Sequence, residues 1–245
     1  MLGSFIATLV LRAGEGRPVT GRSACDGCGK PLSPIELVPL VSWLVQRGRC
    51  KRCAARIDPL HPFTESAAAL IGGTSLCLAP DPAGLALALF GLLLLTLALF
   101  DARHFWLPHW LSAVTAAAGL LLGGLAMHPL GLAVPLTDRL IGMAGGFAVL
   151  WLIGSLYQRL RGRQGLGGGD APMFAALGAW LGWAALPLLL LMAALAGLAV
   201  AASRLLSGQA DPADSWRTLR LPLGTLLALA TPAAIAMLML TRPLI

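Results

Sequence analysis

Charge is scarce in this sequence. Of its 245 residues only 12% are Asp, Glu, Lys or Arg, where a soluble domain carries about 25%. Tyrosine occurs once, and all aromatics together make up 6%. With 57% of the chain hydrophobic, these shortages exclude an ordinary water-soluble domain. No basic stretch precedes the apolar opening 1–11 and Arg12 follows it, so a cleavable secretory signal is not expected. The net charge of +7 does not point to nucleic acid, because the basic residues lie between apolar runs, where membrane topology accounts for them. Internal repeats of the solenoid kind are absent.

What the chain does have is Leu, Ala and Gly in long runs, the composition that hydrocarbon selects. Apolar runs lie near 65–80, 83–100, 108–127, 138–158, 172–185, 187–203 and 222–241, with prolines close to their ends. The expected fold is an all-α polytopic membrane protein with about seven to eight transmembrane helices. A small cytoplasmic four-cysteine zinc module is inserted near the N-terminus. Residues 1–11 form a short membrane segment, below the roughly 20 residues a full span needs. Residues 12–64 form the polar zinc-binding module, and 65–245 the transmembrane domain.

Orientation follows from the basic residues. If the cysteine-rich insertion is cytoplasmic, so are the connections 101–107, 159–171 and 204–221. Of the 18 Lys and Arg residues, only Arg139 and Arg242 then fall on the opposite side. Such a bias predicts the cytoplasmic face.

Cys25-x-x-Cys28 and Cys50-x-x-Cys53, with 21 residues between the pairs, have the spacing of a tetrahedral zinc site. Gly29 can supply the positive φ that a tight turn after Cys28 needs. Lys30, Lys51 and Arg52 offset the negative charge of four thiolates. Two disulfides or four unrelated thiols are the competing readings, and disulfides fit poorly with a reducing compartment. Four thiolate ligands leave no open position, so the metal is expected to be structural. Cys77 lies in an apolar run and reads as a packed small hydrophobe.

A charge at the edge of a membrane span is costly, which makes it a functional candidate. Asp101 ends the run 85–100. Asp170 follows Gly165-Leu166-Gly167-Gly168-Gly169 and opens another run. Topology counted on basic residues alone sets both carboxylates at one membrane face. Two carboxylates brought together can share a proton, one activating water and the other polarising a scissile carbonyl. Gly167 and Gly169 support the catalytic loop by allowing unusual dihedrals and close approach. Plainer readings exist. Asp101 can be an interfacial residue paired with Arg103, Asp170 a helix N-cap, and the two together a transport site. Asp81, Asp138, Asp211 and Asp214 read as solvated. Glu36 and Glu65 are candidates for contact with substrate or cofactor. His61, His104, His109 and His128 lack ligand spacing, and His104 and His109 lie near Asp101.

These blocks, in order, resemble the type IV prepilin peptidase family, leader peptidase/N-methyltransferases of the GxGD aspartyl type. The resemblance runs through Gly3-Ser4-Phe5 and Arg12, and then through Cys25-x-x-Cys28, Glu36, Pro39-Leu40 and Ser42-Trp43. It continues with Arg47-Gly48-Arg49-Cys50-x-x-Cys53, Pro62, Glu65, Asp101 and Leu107-Pro108. Gly167-x-Gly169-Asp170, Ala176 to Gly182 and Leu221-Pro222-Leu223-Gly224 complete it.

The resemblance implies an intramembrane aspartyl endopeptidase of the bacterial inner membrane, with zinc module and active site facing the cytoplasm. It implies prepilin and pseudopilin substrates of type IV pili or type II secretion. Each would have a basic leader and an apolar helix, and would be cut typically after Gly. It also implies methylation of the new N-terminal amine with S-adenosylmethionine. Asp101 and Asp170 inherit the protease role, and Cys25, Cys28, Cys50 and Cys53 the metal role. Three positions depart from the family pattern: Ala7 for Asn, His109 for Asp or Asn, and Pro172 for Lys. No glycine-rich Rossmann signature marks the methyl-donor site. The alternatives are a peptidase without methyl transfer, and a membrane transporter with a zinc regulatory module.

Overall fold

The structure is a computed structural model that describes residues 2–14, 16–18, 23–25, 27–33, 36, 38, 40–207 and 221–241. Pro39, Asp211, Asp214 and Arg242, named above, lie outside these residues, as do Arg22, Arg217 and Arg220 of the basic residues counted for orientation. Among the described residues the chain is helical, with two isolated β-bridges and no longer strand. The helices are α1 (Leu2–Gly14), α2 (Val41–Val45), α3 (Leu60–Leu78), α4 (Pro82–His104), α5 (His109–Met127), α6 (Leu136–Arg161), α7 (Asp170–Leu181), α8 (Leu186–Leu206) and α9 (Leu223–Thr241). The chain divides into two compact units, Met1–Thr74 and Ser75–Ile245, with the boundary inside α3.

In the first unit, α1 lies against the start of α3. A β-carbon at Gly3 would come within 2.5 Å of the Thr64 carbonyl oxygen, so only glycine lets the helices approach this closely. Ala7 and Val10 on the same helix are fully buried. Ala7 thus stands in packing contact, where an Asn amide would need buried partners. At 13 residues, α1 is about 20 Å long and falls short of the hydrocarbon core by itself.

In the second unit, α4, α5, α6, α8 and α9 are long and apolar enough to cross a membrane, together with short 3-10 extensions of α5 and α8. α3 has 19 residues but carries His61 and Glu65 in its first half and is not among the five. The run expected at 172–185 folds as the 12-residue α7, only about 18 Å long. Every residue of α7 except Pro172 is buried. It is apolar all round because helices surround it.

Small residues make that enclosure possible. A β-carbon at Gly119 of α5 would stand 2.7 Å from the Trp180 ring, and one at Gly142 of α6 would stand 2.7 Å from the Gly178 carbonyl. Without a hydrophobic drive between helices in lipid, such close backbone approach is what holds them. Trp180 is fully buried, stacks on Phe90 at 4.6 Å and donates its indole N–H to the Thr115 carbonyl at 2.8 Å. Arg139, at the start of the run 138–158 and expected on the side opposite the cytoplasm, is only 9% exposed and donates to the Gly119 and Leu120 carbonyls at 3.1 and 2.9 Å. Its long stem reaches α5 because Gly123 and Gly124 leave room for it. Cys77 is also a correction: it lies on an exposed face, not packed inside, and an exposed apolar face suits a bilayer solvent.

Candidate active site and cysteine cluster

The two Cys-x-x-Cys segments fold alike. In the first, the Gly29 N–H donates to the Cys25 carbonyl at 2.8 Å and the Cys25 N–H to the Lys30 carbonyl at 2.9 Å. In the second, the Ala54 N–H donates to the Cys50 carbonyl at 2.9 Å and the Cys50 N–H to the Ala55 carbonyl at 2.9 Å. One isolated bridge closes each turn, Ala24 with Pro31 and Arg49 with Arg56. The residue after each second cysteine is left-handed, Gly29 at φ 67° as expected and Ala54 at φ 55° without the freedom of glycine.

The four sulfurs of Cys25, Cys28, Cys50 and Cys53 lie within 4.8 Å of one another, and the Cys25 and Cys53 sulfurs are 3.8 Å apart. A metal–sulfur bond of about 2.3 Å gives a tetrahedron with an edge of about 3.8 Å. The cluster therefore has the size to hold one tetrahedral metal ion. Backbone N–H groups of Cys53 and Arg52 pull the Cys50 thiol down to about 6. At Cys53 the Ala55 N–H favours the thiolate, but burial and the sulfurs of Cys28, Cys50 and Cys25 outweigh it and push the thiol up to about 11. Sulfurs this crowded need a cation between them before all can ionise.

Asp101 and Asp170 belong to the second unit and are 5% and 6% exposed. Asp101 occupies the last turn of α4, turned into the bundle. Its Oδ2 accepts from the Thr225 N–H at 2.7 Å and lies 3.2 Å from the Thr225 hydroxyl, which also donates to the Ala98 carbonyl at 3.0 Å. The α9 N-terminus, with its unsatisfied N–H groups, thus faces a carboxylate from another helix. This is no exposed interfacial side chain. Asp170 is the first residue of α7, and its Oδ2 accepts from the Gly167 N–H at 2.8 Å. The N-cap position belongs to Gly169, so Asp170 does not cap its own helix.

Segment 105–108 links the two carboxylates. Phe105, left-handed at φ 49°, ends α4 by donating its N–H to the Asp101 carbonyl at 2.9 Å. Trp106 packs edge-on against Phe100 at 5.9 Å. Leu107, 3% exposed, reaches the backbone before Asp170: a β-carbon at Gly169 would lie 2.5 Å from Leu107 Cβ. A β-carbon at Gly224 would lie 3.0 Å from Asp101 Oδ2, Leu107 Cδ1 and Met173 Sδ alike. α4, α7 and α9 therefore meet at one point, and Asp170 lies within the field of the Asp101 charge. Gly167 and Gly169 take ordinary negative φ values, and their smallness, rather than a left-handed backbone, is what the site uses.

A cavity of about 170 Å³ opens on Asp170, lined by Leu150, Gly154, Ser155, Gln158, Gln164 and Gly167 among others. None of its lining residues is basic. Pro172 falls in the first turn of α7, where a missing N–H is harmless. His109 is exposed at the start of α5, and His104 packs beside Phe100 at 6.2 Å. Among the described residues the four cysteines form the only metal-capable group, and no histidine joins it. Thr225 was not singled out from sequence. Its signal was position, one residue after the Leu221-Pro222-Leu223-Gly224 block at the expected cytoplasmic end of a span.

Fold and site define a multi-pass membrane protein with a buried carboxylate pair in its helical unit and a cysteine cluster in the unit before it. Residues 1–78 match the bacterial Peptidase A24 N-terminal domain, and residues 88–202 the type IV leader peptidase family. Over 177 residues the chain is 41% identical to the prepilin leader peptidase/N-methyltransferase of Aeromonas hydrophila, covering 72% of this chain and 59% of that protein. It is 41% identical over 181 residues to the protein of the same name in Burkholderia pseudomallei (strain 1026b), covering 73% and 57%. With the Stutzerimonas stutzeri protein of that name it shares 32% over 208 residues, covering 85% and 69%. The chain belongs to the type IV leader peptidase family. It spans about three fifths of the length of the first of these curated relatives. No solved structure matches it.

Proposed function

We propose that this protein cleaves the basic leader from prepilins and pseudopilins at the cytoplasmic face of the bacterial inner membrane, using Asp101 and Asp170. The reading is carried by one observation: two buried carboxylates from different helices, each fixed by a backbone N–H, stand where α4, α7 and α9 converge, with Asp170 lining a cavity, in a chain of this family. Both are held by Oδ2, which leaves Oδ1 for chemistry. The ionised carboxylate takes a proton from water as the oxygen attacks the scissile carbonyl. Its protonated partner donates to that carbonyl oxygen. Collapse of the tetrahedral adduct then breaks the C–N bond as the amine gains a proton. Asp101, facing Thr225 donors, suits the ionised role. The substrate's apolar helix lies in the bilayer, and its depth presents the leader junction at the dyad. The strong bias of Lys and Arg supports the cytoplasmic orientation.

The second half of the reading is N-methylation of the new N-terminus by the module at 12–64, with 65–245 as the peptidase. Cys25, Cys28, Cys50 and Cys53 would hold zinc, which would fix the module's fold and take no part in catalysis.

The test is co-expression with a prepilin, comparing the chain with Asp101→Asn and Asp170→Asn. Both variants should insert normally and lose cleavage by at least about a thousandfold, as for removal of one member of a catalytic set. Normal cleavage by either variant would remove the dyad and leave the carboxylates as structural groups. Intact mass of the product reports methylation separately.

A further inference from the structure

The cavity that opens on Asp170 has two walls. One is the C-terminal half of α6, through Trp151, Gly154, Ser155 and Gln158. The other is the glycine-rich segment 162–169, through Gln164 and Leu166. That segment is pressed onto α6. A β-carbon at Gly165 would lie 2.5 Å from the Tyr157 ring, and one at Gly154 would lie 3.5 Å from Leu166 Cδ1. The dyad chemistry uses Asp170 and leaves the rest of this lining without a role.

Three features say what fits there. α6 is the longest and least enclosed of the five membrane-capable helices, with 17% of its apolar window buried against 50% for α4. Its 26 residues make about 39 Å, more than the roughly 30 Å of hydrocarbon, so one end stands at the lipid–water boundary. Leu140, Phe147, Trp151, Gly154 and Gln158 fall on one face at helical spacing. The first three are exposed and apolar, Gly154 is small, and Gln158 is exposed and polar, so the face runs from lipid-like to water-like as it reaches Asp170. The polar lining is also uncharged apart from Asp170. Two of the chain's four glutamines are in it, in a sequence with no asparagine. An amide both donates and accepts, which suits the N–H and C=O groups of an extended peptide. Finally, Arg159, Arg161 and Arg163 are close in sequence but do not line the cavity. The stretch of peptide that fits is therefore an uncharged one.

We infer, resting on the peptidase reading above, that α6 is the docking helix for the substrate. The substrate's apolar helix lies along Leu140, Phe147 and Trp151. Its uncharged junction unwinds over Gly154 and is held by Gln158 and Gln164, with the scissile bond at Asp170. The basic part of the leader lies beyond this cavity. In lipid an apolar helix gains little by touching another apolar helix, so the stripe alone would leave the substrate free to slide. The two amides fix its register, because each peptide unit they bind has one position along the chain. Gln158 and Gln164 are thus substrate-binding residues, felt in KM, and the carboxylates are felt in kcat.

The experiment uses the full chain in membranes with a co-expressed prepilin. Benzoylphenylalanine replaces Phe147 or Trp151 of α6 and, for comparison, Leu195 of α8 or Leu229 of α9, which are likewise exposed. An Asp101→Asn background keeps the substrate uncut. On illumination the two α6 positions should capture prepilin, and the α8 and α9 positions should give background only. Separately, Gln158→Ala and Gln164→Ala in the otherwise unaltered chain should each raise KM for prepilin by about fivefold with kcat little changed, as loss of a hydrogen bond used equally in ground and transition states does. Capture at 195 or 229 but not at 147 or 151 overturns docking on α6. So does an unchanged KM in both glutamine variants. Either result, with cleavage still lost in Asp101→Asn and Asp170→Asn, leaves the dyad intact. Capture at 147 and 151 with normal cleavage by either aspartate variant removes the dyad and keeps the docking helix. A chain that neither cuts nor captures prepilin overturns both.

Discussion

Thr225 meets Asp101 across 124 positions of sequence, its N–H 2.7 Å from Oδ2 and its hydroxyl 3.2 Å from the same oxygen. The backbone donor survives any substitution, while the hydroxyl does not. That separates two ways of holding a buried carboxylate, and the first prediction uses it. Thr225→Val should lower kcat for prepilin cleavage by about tenfold, the low end for a hydrogen bond to a charged group, because the hydroxyl is shared with the Ala98 carbonyl. Thr225→Ser should restore most of it. A valine variant whose rate and pH profile match the unaltered enzyme would make the hydroxyl a helix-packing group only.

Gly169 and Gly224 are predicted to matter for space rather than for backbone freedom. Ala at 169 would place a methyl 2.5 Å from Leu107 Cβ, with no flexible side-chain end to yield. Ala at 224 would press on Asp101 Oδ2, Leu107 and Met173 at 3.0 Å each, where small shifts can absorb it. Gly169→Ala should therefore reduce cleavage more than Gly224→Ala, with both variants still inserted in the membrane. Cleavage rates in membranes decide the order, and the reverse order would mean the dyad is held some other way.

The packing of α7 leads to a third expectation. Gly178→Val should destabilise the helical unit by roughly 1–3 kcal/mol or more, as overpacking does, because Gly178 sits against the Gly142 backbone. Thermal unfolding in detergent would show a clearly lower midpoint. An unchanged midpoint would mean that α6 and α7 can separate without cost.

The cysteine turns supply a fourth. Ala54 adopts a left-handed backbone that costs a non-glycine residue about 1–2 kcal/mol. Ala54→Gly should recover part of that, less the entropy glycine adds to the unfolded chain. It should also slow metal loss to a chelator. Chelation itself should loosen the module, seen as faster proteolysis within 15–58, and Cys25→Ser should lower the metal content. Metal content equal in Cys25→Ser and the unaltered chain would remove that residue from the ligand set.

Much of this protein is legible along the chain because its signals are local. Spacing alone brings Cys25 to Cys28 and Cys50 to Cys53, and a four-sulfur cluster needs only two such turns to meet. The scarcity of charge over the whole chain announces a lipid solvent, since a water-soluble domain of this length would carry about twice as much. Glycine beside Asp170 also announces close approach, although Gly167 and Gly169 achieve it with ordinary φ values. Apolarity, by contrast, does not say what a residue faces. The run at 172–185 and the run at 187–203 look alike, yet the first is the short α7, buried within protein, and the second has much of its surface exposed. Lipid and protein interior are both apolar, so hydropathy cannot separate them.

Composition and spacing were enough for the membrane character, the metal-capable cysteines and the two candidate aspartates, because each depends on neighbours within a few residues. Only the packed helices decided that Thr225 holds Asp101, that Leu107 touches the glycine before Asp170, and that Arg139 is drawn inside against α5. Those contacts join residues far apart in the chain, and they exist because glycine at 119, 142, 169, 178 and 224 lets backbones approach to where such groups can reach one another.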